Sequence, residues 1–473
     1  MPPSRRDWSA LREELAGDLL LPGTDEYESA RKPFIARFDE IEPAAVVRCA
    51  TADDATSAMV FASRFSLETV PRSGGHCLAG YSSTRDLLLD LSPLSEVVVA
   101  DDIVTVGAGT PTGKLCERLC EHGLAIPTGT CPSVGIAGLT LGGGIGILGR
   151  AHGLTLDHLV AAHVVLADGR VADCDEQRHG DLFWALRGAG ARNFGVVTSF
   201  TFEARPAPAM TNFRLVWPYR HAAAVIATWQ AWAPLGPDEL SADLVLSATG
   251  DPSSDPLVEV IGAVIGSPGD ARDLLDRLAT RAESDPQSED CRELSYRDTC
   301  RLQAELSVSY DQLEQTSQGP LRRQGYRFTK SELFERPLAA DAIAALLDNF
   351  AAKHARGQTR SVGFAPWGGA YNRRSPQATA FAHRDQLFSI EHLAIIDPAA
   401  PGGDKDAAHE WVRRSWETVH RCSSGCVYPC FPDADLRNWG TAYYGDNLPK
   451  LRKVKAKYDP GNVFRFEQSL PLR

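Results

Sequence analysis

A histidine follows Arg-Ser-Gly-Gly at position 76, and a cysteine sits in a Gly-Thr-Cys-Pro-Ser loop at position 131. Imidazole attacks through nitrogen and a thiolate through sulfur, so both side chains are potential nucleophiles. Small residues flank each one and permit close approach of a ligand or a second stretch of backbone. Arg72, Ser73, Gly74 and Gly75 add a cation, a hydroxyl and accessible amides in a short arc, a pattern suited to an anion. The two loops together predict a flat or phosphorylated ligand held between them.

The elements that must hold these loops are legible as alternating strands and helices. Residues 44–50 read as a strand. Residues 51–68 read as a helix with a Thr cap and an acidic first turn. Residues 69–75 are a strand entering the histidine loop, and residues 86–109 hold three short strands. TPTGKLCERLCEHGLA reads as a capped helix ending at Gly123. Glycine is dense over 129–153 and 188–195, which predicts unusual backbone or close approaches. A Pro-rich stretch at 202–210 marks a domain boundary. Beyond it, LVLSATG, LVEVIGAVIGS and DQLFSIEHLAIID read as strands. GDARDLLDRLATRAE and LAADAIAALLDNFAAKHARG read as helices, the second closing at Gly357. The expected architecture is α+β: a first domain over 1–205, an antiparallel sheet covered by helices over 206–435, and a basic C-terminal helix and tail over 436–473.

Gly144, Gly146 and Gly149 have the spacing G-x-G-x-x-G, but they follow GIAGLTLGG and do not close an apolar strand. A Rossmann dinucleotide unit is therefore not expected. The surviving inference is a loop whose amides suit a phosphate or the edge of a flat ring.

Bulk properties narrow the function. A net charge of −12 argues against a nucleic-acid binder and favours a small-molecule partner. No apolar run nears the ~18 residues that span a bilayer, and MPPSRRDWSALREEL lacks the apolar core of a secretory signal. Eleven cysteines without a tight framework read as reduced, packed thiols. The expected setting is cytoplasmic, with no membrane partner. Cys116 and Cys120 repeat at four-residue spacing, as do Cys422, Cys426 and Cys430, but no fourth ligand accompanies them, so no metal is expected.

Four stretches, in order along the chain, carry a family resemblance: PRSGGHCLAGYS, GTCPSVGIAGLTLGGGIGILGRAHGL, LFWALRGAGARNFGVVTSFTF and AYYGDNLPKLRKVKAKYDPGNVFRFEQSLP. They resemble the berberine-bridge-enzyme-like flavoproteins, which have the vanillyl-alcohol-oxidase (PCMH-type) FAD fold. The likeness is dense over 35–205 and 435–473 and thin between. It implies FAD joined at its 8α carbon to His76 and at C6 to Cys131. Ser73, Gly74 and Gly75 would bind the pyrophosphate, and Arg72 and Cys77 would also contact the cofactor. Val134, Gly135, Gly138, Thr140, Gly142, Gly143 and Gly144 would pass along the ADP and flavin. Val196 and Val197 would meet the adenine side, and Tyr444 and Asn447 would return from the C-terminal segment to close over the ring. The implied reaction is hydride removal from a small hydroxylated or phenolic compound, such as a natural-product intermediate, with O2 as acceptor and peroxide as product. Two alternatives stay open: a sugar or oligosaccharide oxidase, and a flavin-bearing protein that sequesters a drug.

Such a reaction needs a base for the hydroxyl proton. The resemblance places a tyrosine on the segment VYPCFPDADL, within a Tyr-x-Asn-Tyr-like pattern. Tyr428 matches the first tyrosine, but Cys430 replaces the asparagine and Phe431 the basic tyrosine. Phenylalanine cannot ionise. Three readings follow: Glu391, Tyr428 or His392 is the base; the substrate is acidic enough to need little help; or the local alignment slips. A carboxyl buried beside the ring, as Glu391 would be, could be tuned for proton transfer. Trp367, in PWGGAYNRR, is a candidate wall of the substrate pocket.

Overall fold

The computed structural model describes residues 2–311, 323, 325–352 and 355–472. In the first domain the short apolar runs form two sheets around one core. Ala45–Arg48, Leu87–Asp90 and Thr69–Arg72 run parallel, and Asp18–Leu20 joins them antiparallel at the edge. Leu87–Asp90 is buried at every position, as strands covered on both faces are. The helix Ala52–Phe65 opens with the expected cap: Thr51 accepts from the Asp54 amide and the Asp54 carboxylate returns to the Thr51 backbone. Five antiparallel strands make the second sheet, in the order Val97–Ala100, Ile103–Gly107, Val196–Glu203, Leu159–Val165, Val171–Cys174.

The helix Thr112–Cys120 departs from expectation at its start. Pro111 occupies the cap position, and no side chain caps the helix. Its first amides bond instead to the cysteine loop, Thr112 N to Val134 O (2.8 Å) and Gly113 N to Pro132 O (3.0 Å). Amides that every helix leaves unpaired at its N-terminus thus fix the loop that carries Cys131. The stretch GIAGLTLGG is also helical, over Ile136–Gly142.

The second domain is a seven-stranded antiparallel sheet. Its order is Ser288–Leu294, Met210–Pro218, Leu257–Val264, Leu240–Ala248, Thr359–Pro366, Phe388–Ile396, Tyr326–Phe334. Helices Ala222–Trp232, Pro268–Ala282, Ala340–Phe350 and Gly402–His420 bury one face. The third of these stops at Phe350, well short of Gly357. Strand alternation decides what the opposite face presents. In Leu240–Ala248, the Leu and Ala residues go to the helices, and Ser241, Asp243 and Val245 face the first domain.

The chain ends by crossing back. Tyr443, Tyr444, Leu451, Val454, Tyr458 and Phe464 complete the core of the first domain. Leu154, Leu156, Trp367, Tyr371, Phe381 and Tyr428 form an apolar cluster between the two domains. Beside it, Arg150 is 1% exposed and donates to the carbonyls of Leu240, Pro234, Trp367, Gly236 and Pro237. This guanidinium reaches from the first domain and satisfies five acceptors of the second. Arg150→Met is expected to destabilise the protein by roughly 3–5 kcal/mol, because buried carbonyls left without donors are costly. Denaturant unfolding of the two proteins measures the difference. Among the described residues, no helix is long and apolar enough to cross a membrane.

Candidate active site

The uncovered face of the seven-stranded sheet and the loops of the first domain enclose a cavity of about 590 Å³. Its floor is the histidine loop, the cysteine loop and the helix Ile136–Gly142. Its roof is the sheet, and residues 428–432 with Tyr444, Phe466 and Gln468 close one end.

The floor exists because two glycines touch. A Cβ on Gly74 would lie 2.3 Å from Gly135 N, and one on Gly135 would lie 2.0 Å from Ser73 Oγ. Only glycine at both positions lets the loops pass this closely. The contact brings the two nucleophiles to one hydroxyl. His76 Nε2 is 2.9 Å from Ser133 Oγ, and Cys131 Sγ is 3.5 Å from the same oxygen. The His76 ring stacks on Phe34, with centroids 3.9 Å apart. Burial, aided by the nearby Arg327 charge and opposed by a bond with Ser133, depresses the imidazole to about 4, so it is neutral at physiological pH. The neighbouring Cys77 lines the same wall, and burial pushes its thiol up.

Toward the C-terminal end of the cavity, the Tyr428 oxygen accepts from the amides of Gly144 (2.7 Å) and Ile145 (3.3 Å). Burial holds its phenol well above the usual range, which suits a fixed hydrogen-bonding group and not a base. Cys430 rests on the carbonyls of Gly138 and Leu139, and burial pushes its thiol up to about 11. Phe431 lines the cavity edge-on to Tyr428. Tyr443 also lines the cavity, and its hydroxyl accepts from Asp433 N and donates to Gln468. On the roof, Glu391 faces the cavity and pairs with Arg327 at 2.7 Å.

Of the residues expected at the site, Arg72, Ser73, Gly74, Gly75, His76, Cys77, Cys131, Val134, Gly135, Gly138, Gly142, Val197, Glu391, Tyr428, Phe431 and Tyr444 line this cavity. Others do not. His392 lies on the opposite face of its strand, fully buried with Nδ1 2.8 Å from Ser415 Oγ, so it cannot reach a substrate. Asn447 donates to the carbonyls of Pro376, Thr379 and Ala380 and holds a loop in place. Val196 belongs to the first core, and Thr140, Gly143 and Gly144 lie behind the cavity wall. The Arg72 guanidinium, on the cavity wall, also donates to the carbonyls of Ala30 and Arg31.

Several wall residues carried no signal of their own in the sequence: Tyr81, Ser82, Arg327, Gln303 and Asp243. The hydroxyls of Tyr81 and Ser82 and the Gln303 amide nitrogen are buried with no hydrogen-bond partner among the described residues. Unpaired buried polar atoms on a cavity wall point to a polar ligand that completes them.

A family model described as an FAD binding domain matches residues 43–175, and one described as berberine and berberine like matches residues 427–471. The FAD-linked oxidoreductase YgaK of Bacillus subtilis is 32% identical over 97% of this chain and 98% of its own length. The chain belongs to the berberine-bridge-enzyme-like FAD-linked oxidoreductases. Tetrahydroberberine oxidase of Berberis wilsoniae is 29% identical over 85% of this chain and 80% of its own. The structure of Physcomitrella patens BBE-like 1 superposes with a TM-score of 0.89 at 28% identity, covering 98% of this chain and 99% of that one. The cavity of this berberine-bridge-enzyme-like protein fits FAD on its own terms. It offers the unpaired hydroxyls of Tyr81 and Ser82 to a polar group and a glycine-built floor to a flat ring.

Proposed function

We propose that this FAD-linked oxidoreductase removes a hydride from a hydroxylated or phenolic organic compound, with the cofactor bonded to both His76 and Cys131. The observation that carries the reading is the convergence of those two nucleophiles on Ser133 Oγ. FAD, when bound, supplies the hydride acceptor and passes the electrons on to O2, giving hydrogen peroxide. The protein's own part is positional and protic. His76, with its neutral imidazole lone pair, would hold the flavin 8α carbon and Cys131 sulfur would hold C6, each bond replacing a C–H whose proton goes to solvent and whose electron pair reduces the flavin, which O2 then reoxidises. Two tethers on one rigid floor hold the ring without a closed pocket around it, which leaves the roof free for a bulky substrate. Glu391 is the proton acceptor for the substrate hydroxyl, oriented by Arg327. Phe431 contributes shape only. The eleven unpaired cysteines fit a reducing, cytoplasmic setting.

Anaerobic mixing with a panel of benzylic and allylic alcohols tests the reading. The expected result is bleaching of the flavin absorbance by at least one of them, and peroxide on readmitting oxygen. Bleaching by glucose or cellobiose with none by the alcohols would replace it with sugar oxidation.

A further inference from the structure

One hydroxyl stands between the two nucleophiles. Ser133 Oγ lies 2.9 Å from His76 Nε2 and 3.5 Å from Cys131 Sγ. The backbone that carries it is anchored at several points. Thr112 N and Gly113 N, at the start of the helix Thr112–Cys120, donate to the carbonyls of Val134 and Pro132. Thr112 Oγ1 donates to the Cys131 carbonyl at 2.9 Å. The Ser133 carbonyl packs on Gly74, where a Cβ would come within 2.7 Å of it. The hydroxyl therefore has a defined place on the floor.

His76 is held as firmly. Its ring stacks on Phe34 with 17° between the planes, and the Phe34 amide donates to the Gly75 carbonyl at 3.2 Å. Stacking fixes the plane of the imidazole but does not choose between its nitrogens. A neutral imidazole has one N–H and one lone pair, so hydrogen bonding makes that choice. Nε2 meets Ser133, and Nδ1 has no hydrogen-bond partner among the described residues. Cys131 decides the direction of the bond. A sulfur that has given up its proton only accepts, and the Ser133 hydroxyl is within reach as its donor. With its O–H turned to sulfur, the Ser133 oxygen accepts from Nε2–H, and the lone pair is left on Nδ1.

The geometry points to Ser133 as the positioning residue for flavin attachment, one hydroxyl that holds the His76 Nε2–H so that Nδ1 bonds, and that steadies the Cys131 thiolate. This rests on the two-tether reading proposed above. In the His76 bond, Nδ1 gives its electron pair to the 8α carbon, and one C–H there breaks. The Nε2 proton, held by Ser133, and the C–H proton both go to solvent. The C–H electron pair reduces the flavin, and O2 reoxidises it to give hydrogen peroxide. Ser133 acts through His76 and Cys131 and is itself unchanged.

The test compares the flavin-bearing full chain with Ser133→Ala and Ser133→Thr. Peptide mass after digestion reads the share of His76 that carries flavin. NMR of the flavin peptide reads the linking nitrogen: the 8α methylene correlates with Cγ when Nδ1 is bonded and with Cδ2 when Nε2 is bonded. The unaltered protein and Ser133→Thr are expected to be linked through Nδ1. Ser133→Ala should shift the ratio of the two linkages about tenfold towards Nε2, the weight of one hydrogen bond in choosing a nitrogen, and should lower the share of His76 that carries flavin. A Ser133→Ala protein with a lowered share but the same linking atom would assign the serine to loop packing and overturn the inference. So would a Ser133→Ala protein bonded as fully at the same nitrogen; both leave the two-tether reading standing. Linkage through Nε2 in the unaltered protein overturns the inference even if the variants fail to fold. A His76 peptide free of flavin in the unaltered protein sinks the two-tether reading and this inference with it.

Discussion

Acid-precipitated protein is expected to give a yellow pellet for the unaltered chain and for His76→Ala or Cys131→Ala, and a colourless one for the double variant. Each nucleophile forms its own bond, so either suffices to retain the dye through denaturation. The two side chains meet at Ser133 Oγ, so both can reach one ring from the same floor. The imidazole is neutral well below physiological pH, so bonding needs no prior deprotonation. Intact-mass measurement gives the same answer independently: one FAD increment on the unaltered chain and each single variant, none on the double. A yellow pellet from the double variant would assign the linkage to other residues. Cys77 and Cys430 are the nearby alternatives, but burial raises both thiols, which withholds the reactive thiolate.

Glu391→Gln is expected to slow flavin reduction by roughly 10²–10⁴-fold, the usual loss when a positioned base is removed. The amide keeps the shape and a hydrogen-bonding oxygen for Arg327 but cannot take a proton. Flavin attachment and the visible spectrum should not change, which separates a chemical defect from a binding one. Stopped-flow absorbance under nitrogen measures the step directly. Tyr428→Phe should do far less, since its hydroxyl serves the Gly144 and Ile145 amides. If the two variants exchange these effects, the base is the phenol.

The features readable in the chain were those that local chemistry dictates. His76 and Cys131 stand in short glycine-rich loops whose composition announces a close approach, and the Thr51 cap is written in adjacent residues. Strand and helix periodicity was enough for the two-domain α+β plan. Failures arose where the third dimension decides. Glu391 and His392 are adjacent in sequence, and alternation along one strand sends them to opposite faces; nothing local says which face meets the cavity. Asp243 sits in an alternating strand like any solvated residue, and it becomes notable only because the first domain covers that face. The bonds of the Arg72 guanidinium to carbonyls of a distant segment had no local sign either. Asn447 had the polarity of a ligand contact but serves a loop.

The five carbonyls gathered by Arg150 bear on how the cavity is entered. With that clasp fastened beside an apolar seam, parting the two halves like jaws would strand five carbonyls at once, so the clasp opposes a hinge as the doorway.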